Sequence, residues 1–89
     1  MKILASYIAA STQIHTGKCY FLGLVSEGGK TVKAYNVETS GSIAAANQVG
    51  YIHEDNNAGN VLPKPGVECT NGLYVVVDSD DCMVYYSLG

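Results

Sequence analysis

The side chains best equipped for chemistry are few: Cys19, Cys69 and Cys82, His15 and His53, and the acidic cluster Asp78-Ser79-Asp80-Asp81. Carboxylates at alternate positions of a turn can converge on calcium, a cation that prefers several oxygen ligands. The EF-hand pattern, however, needs glycine at its sixth loop position and glutamate at its twelfth, and counted from Asp78 those positions hold Met83 and Gly89. The cluster therefore reads as a solvated turn, where Asp and Ser are favoured on their own account. No cysteine stands at a Cys-x-x-Cys or Cys-x-x-His spacing, so a structural zinc site has no local support. Cys19 and Cys82 lie inside apolar runs, where a free cysteine behaves as a small hydrophobe. A cysteine nucleophile needs a base and an electropositive setting, which the adjacent residues do not supply. No nucleophile, base and oxyanion donor can be assembled from motifs, so no catalytic residue, metal or cofactor is expected.

The richer signal is aromatic. Seven tyrosines, Tyr7, Tyr20, Tyr35, Tyr51, Tyr74, Tyr85 and Tyr86, occur with no tryptophan at all. A tyrosine offers a broad apolar face with a polar tip, suited to protein interfaces and to stacking on sugars or bases. Along a strand Tyr85 and Tyr86 point to opposite faces, so at most one of them serves a given interface.

These residues must be positioned by strands. The stretch Asn71 to Leu88 holds two runs rich in β-branched and aromatic residues around a turn-forming cluster, the signature of an antiparallel hairpin. Leu73, Val75 and Val77 should share one face, with Tyr74, Val76 and Asp78 on the other. Both faces are mostly apolar, which suits the interior of a two-layer β structure or a subunit interface. Lys18 to Val25 and Thr31 to Val37, joined by Ser26-Glu27-Gly28-Gly29-Lys30, read as a second hairpin. Gly23 within it marks a bulge or a close backbone approach. Lys2 to Ala10 is a further strand, with Gln13-Ile14-His15 as its continuation, and Val49 to Glu54 is another. Ile43 to Gln48 can support a helical turn or two, with Ser42 as N-cap. Asp55 to Asn60 reads as a polar loop tip, and Val61 to Gly66, with two prolines, belongs on a sheet edge. The expected fold is a single all-β domain over residues 1–89, a small antiparallel β-sandwich of jelly-roll-like form with about seven strands.

Composition narrows the partners. Five basic residues face eight acidic ones, a formal charge of −3, and arginine is absent. Arginine is the usual bidentate reader of phosphate, so a nucleic-acid role is disfavoured. No apolar run approaches membrane-spanning length, and no secretory leader is read in the first residues. The thiols are expected to be reduced, as in a cytoplasm. A chain of 89 residues buries a modest share of its surface, so self-association is the expected extra stabilisation.

The order of the pieces carries a resemblance. Gly17 to Val25, Ala34-Tyr35-Asn36-Val37, the Ser40-Gly41-Ser42 loop, Pro65-Gly66-Val67-Glu68-Cys69, Asn71-Gly72-Leu73-Tyr74-Val75 and the closing Val84-Tyr85-Tyr86 resemble small all-β virion proteins of tailed bacteriophages. The resemblance implies a non-enzymatic virion protein, assembled in the host bacterial cytoplasm, of the capsid decoration or cement kind. It would be homotrimeric and bind the major capsid protein, without nucleic acid or membrane. The alternatives are a head-fibre, neck or tail component, or a carbohydrate- or receptor-binding module using tyrosines and Asp55-Asn56-Asn57. An oligonucleotide-binding barrel is opposed by the acidic balance. The partner-binding residues expected are Lys2, Ile3, Leu4, Tyr7, Tyr51, Tyr85 and Tyr86. Because terminal segments are free to reach a neighbour unless docked, deleting Met1 to Tyr7 is expected to abolish attachment and spare folding.

Overall fold

The computed structural model describes residues 2–26, 31–52, 59–63, 65–78 and 81–89. Nine strands form among them: β1 (Leu4–Ile8), β2 (Thr12–Thr16), β3 (Cys19–Ser26), β4 (Val32–Tyr35), β5 (Gln48–Ile52), β6 (Gly59–Val61), β7 (Val67–Cys69), β8 (Gly72–Val77) and β9 (Cys82–Ser87). They build two antiparallel sheets. The first runs β1-β9-β3, with β6 and β7 both paired to the far side of β3; the second runs β2-β8-β4-β5.

The register explains this order. β1 pairs with β9, β2 with β8, β3 with β7 and β6, and β4 with β5. These are the pairings of one long antiparallel ribbon folded back on itself between β4 and β5. Rolling that ribbon up brings β9 beside β3 and β8 beside β4, which supplies the remaining pairings. The result is a jelly roll, a double sheet of eight strands. β6 and β7 together make its eighth strand, interrupted between Leu62 and Gly66. The Leu62 N–H still donates to the Leu22 carbonyl at 2.7 Å. Gly66, at φ 80°, is pressed so close to the Phe21 carbonyl that a Cβ would collide with it.

Both expected hairpins are corrected by this topology. β8 and β9 lie in different sheets, as do β3 and β4, so neither pair is a hairpin. A turn-forming cluster between two strand-like runs is a hairpin signal, yet each of these strands finds its partners at long range. Likewise β2 is not a continuation of β1 but crosses to the second sheet, the Ser11 hydroxyl accepting from the Val77 N–H at 3.1 Å. The middle loop holds two short 3₁₀ turns, Ser40–Ser42 and Ala45–Asn47. Thr39 caps the first, whereas Ser42 caps neither. His53, the Asp55-Asn56-Asn57 tip, Ser79 and Asp80 lie outside the described residues.

The core sits between the sheets. Cys19, Phe21, Leu24, Cys69, Cys82 and Val84 of the first sheet meet Val32, Ala34, Ile52, Leu73 and Val75 of the second, all buried. The expected alternation along β8 holds, with Leu73 and Val75 fully inside and Asp78 exposed. Phe21 reaches across to Gly50 of β5, where an added Cβ would fall 2.6 Å from its ring. Gly23 sits at a register shift between β3 and β9, the bulge expected of it.

Candidate functional site

Inside and outside are assigned by alternation. In β9, Cys82 and Val84 belong to the core, so Met83 and Tyr85 stand on the outer face of the first sheet. Their register partners stand with them: Tyr7 and Val25 beside Met83, Ala5 beside Tyr85. Tyr20 continues the surface toward β7, opposite Glu68. The five apolar or aromatic residues Tyr7, Tyr20, Val25, Met83 and Tyr85 therefore share one face of three adjacent strands. Tyr7 is 61% exposed, and the other four are half-buried. Charge lies at the margin, where the Lys18 ammonium rests 5.7 Å from the Tyr20 ring centroid.

Tyr85 is the centre of this face. Its register neighbours are Ala5 on one side and Gly23 on the other, so small residues surround a broad ring. Recesses flank the β1–β9 pair at both ends. One of about 250 Å³ is lined by Tyr7, Val25, Asp81, Cys82 and Met83. The other, about 240 Å³, is lined by Lys2, Leu4, Ser87, Leu88 and Gly89.

The residues expected to bind a partner separate into three groups. Lys2, Ile3, Leu4, Tyr7 and Tyr85 gather along the β1–β9 pair. Tyr86 turns the other way and packs against the core. Tyr51 belongs to β5 in the second sheet, with the Lys33 ammonium 5.6 Å from its ring centroid. Leu4–Ile8 is docked in its own sheet rather than free, so removing Met1 to Tyr7 strips an edge strand from β9. Val25 and Met83 stand on this face without having been expected from the sequence, and Tyr20, though counted among the seven tyrosines, is not among the partner-binding residues expected. The signal that could have found them was the apolar character of both alternate sets in β3 and β9.

The chemically reactive candidates are elsewhere. All three thiols are free and buried. Burial pushes the Cys82 thiol up to about 11, a backbone hydrogen bond from Val25 opposing it only in part. Cys19 and Cys69 are hydrogen-bonded to each other, which lowers the first and raises the second. His15 is half-buried on β2 in the opposite sheet. Among the described residues no group of three or more His, Cys, Asp and Glu side chains is placed to hold a metal ion, and no helix is long and apolar enough to cross a membrane.

The second sheet carries a polar clamp that motif reading did not find. Gln13 Nε2 lies 2.9 Å from the His15 and Val37 carbonyl oxygens and 3.1 Å from that of Leu73, an all-acceptor set that fixes the amide orientation. It ties β2 and β8 to the chain beyond β4. No protein-family model, no curated protein and no solved structure matches this chain.

Proposed function

We propose that this chain is a non-enzymatic accessory protein of a bacteriophage particle, a capsid decoration protein that attaches to the major capsid protein lattice through the outer face of its β1-β9-β3 sheet. The observation carrying this reading is that face itself: Tyr7, Val25, Met83 and Tyr85 gathered on β1, β9 and β3, with Tyr20 farther along β3 and charge limited to Lys18 and Glu68 beside Tyr20 and Asp81 at one end. Interface cores are enriched in tyrosine and methionine and depleted of charge. A jelly roll presents such residues on a rigid sheet, and the fold is one that viral capsid domains use, alongside lectins and cupins. Fold alone assigns no function, so the weight rests on the surface.

A decoration protein meets a repeating surface, so a modest contact per copy is multiplied when copies join as a homotrimer. Tyr85 would be the anchor, seating its ring in a partner pocket, with Tyr7 and Met83 closing the contact around it.

The test has two parts. Quantitative mass spectrometry of purified particles should find the protein near one copy per major capsid subunit; complete absence from particles overturns the reading. Co-sedimentation with heads stripped of accessory proteins should then be weakened at least about tenfold by Tyr85→Ala, the loss of one hot-spot tyrosine.

A further inference from the structure

The first and last residues of the β3–β7 pairing are cysteines that stand directly opposite each other. Cys19 opens β3, Cys69 closes β7, and the antiparallel register places them as partners. Residues so opposed have Cα atoms about 4.5 to 5.5 Å apart, within the roughly 4.4 to 6.8 Å a disulfide spans. They share one face of the sheet, so their Cβ vectors run side by side, and both are at 0% exposure. The third thiol is no competitor. Cys82 pairs with Ser26 and Ile8 at the opposite end of β3, roughly 20 Å away by the rise of a strand.

We propose that Cys19 and Cys69 are a site of reversible oxidation, a cross-strand disulfide that staples the interrupted edge strand β7 to β3. The register already sets the two thiols side by side, and their mutual hydrogen bond lowers Cys19 while raising Cys69, so Cys19 is the more readily ionised of the two. The oxidant is a low-molecular-weight disulfide of the glutathione type. The Cys19 thiolate attacks one of its sulfurs, forming a mixed disulfide and expelling one thiolate. Cys69 then loses its proton and attacks the Cys19 sulfur, forming the Cys19–Cys69 bond and expelling the second thiolate. The protein gives up two electrons and two protons, and one molecule of oxidant becomes two thiols.

Access is set by the fold. Neither sulfur meets solvent while β7 is paired, so β7 must open first. It is a three-residue edge strand, entered from the Gly66 bend, and opening it sacrifices few backbone hydrogen bonds. The pair therefore stays reduced where glutathione is reducing and closes slowly in an oxidising medium. Once closed, the bond ties a loop of more than half the chain and restricts the unfolded state accordingly.

The experiment is to refold the full chain from urea in a glutathione buffer that is either oxidising or reducing, alkylate it under denaturing acid, and map the peptides. Under oxidising conditions the product should be two hydrogens lighter, with Cys19 joined to Cys69 and Cys82 alkylated. Its Tm should lie at least about 10 °C above that of the reduced form. Cys82→Ala should leave the linkage intact, and Cys69→Ser should remove it. A folded protein with all three thiols alkylated after oxidative refolding would overturn the proposal. So would a linkage through Cys82, or a Tm that does not rise.

Discussion

The sandwich has two outer faces, and each carries three tyrosines. On the β1-β9-β3 sheet these are Tyr7, Tyr20 and Tyr85; on the β2-β8-β4-β5 sheet they are Tyr35, Tyr51 and Tyr74. The faces differ in what stands between the rings. The first interleaves them with Ala5, Val25 and Met83. The second sets Lys33 between Tyr51 and Val76 on its central strand, buries Tyr35 to 7% exposure, and places the Gln13 amide beside Tyr74. A tyrosine committed to contacts within its own chain has little to offer a partner, and a central ammonium must be desolvated before anything apolar can cover it. The same residue type thus builds two faces of different character, and the first is the one proposed to meet a partner.

The comparison presupposes a shared interior that holds both faces flat, and the largest expected effect comes from breaking it. Phe21→Ala removes the ring that bridges β3 to Gly50, and should cost about 3 to 5 kcal/mol in urea unfolding, lowering both faces together. An effect below about 1 kcal/mol would mean that the sheets do not rely on this contact. The next effect is alkaline. The Cys82 thiol ionises near 11 in the folded chain and nearer 9 when unfolded. Its contribution is therefore fully present below pH 9 and lost as pH rises through 11, by about 2 to 3 kcal/mol. Cys82→Ala should flatten the stability profile between those values, and an unchanged slope would place Cys82 nearer solvent. Third, attachment should distinguish the faces: Tyr85→Ala weakens it at least about tenfold, whereas Tyr74→Ala on the opposite sheet changes it less than about twofold. Equal losses would erase the distinction between the faces.

How far this was legible in the sequence differs by level. Strand content was plain, because β-branched and aromatic runs bounded by Gly, Pro, Asn and Asp carry a local signal. The bulge at Gly23 and the edge position of the proline segment were equally readable, since both follow from backbone chemistry at single residues. Pairing was not. The turns after β3 and β8 look like hairpin turns, and nothing local tells a hairpin from a link between sheets when both strand faces are apolar. For the same reason Tyr86 could not be told from Tyr85 as an outer residue, because the inward set is fixed by which sheet lies opposite. The juxtaposition of Cys19 and Cys69 was invisible at fifty positions' separation and follows only from the rolled-up ribbon.

The smallest effect concerns the second face, and it tests whether Tyr51 is held by its own chain. The Lys33 ammonium lies 5.6 Å from the centroid of the Tyr51 ring, the two residues standing opposite each other on β4 and β5. An ammonium over a ring at a partly exposed site is worth about 0.5 to 1 kcal/mol. Lys33→Ala and Tyr51→Ala each also lose packing, so single substitutions overstate the pair, and a double-mutant cycle isolates the coupling. A coupling of about 0.5 kcal/mol that survives high salt better than an ion pair would show Tyr51 satisfied within its own sheet. Zero coupling, together with a tenfold loss of attachment in Tyr51→Ala, would show instead that the second face also binds. The partner would then have to contact both sides of a molecule about 20 Å thick, as a clamp between neighbouring subunits does.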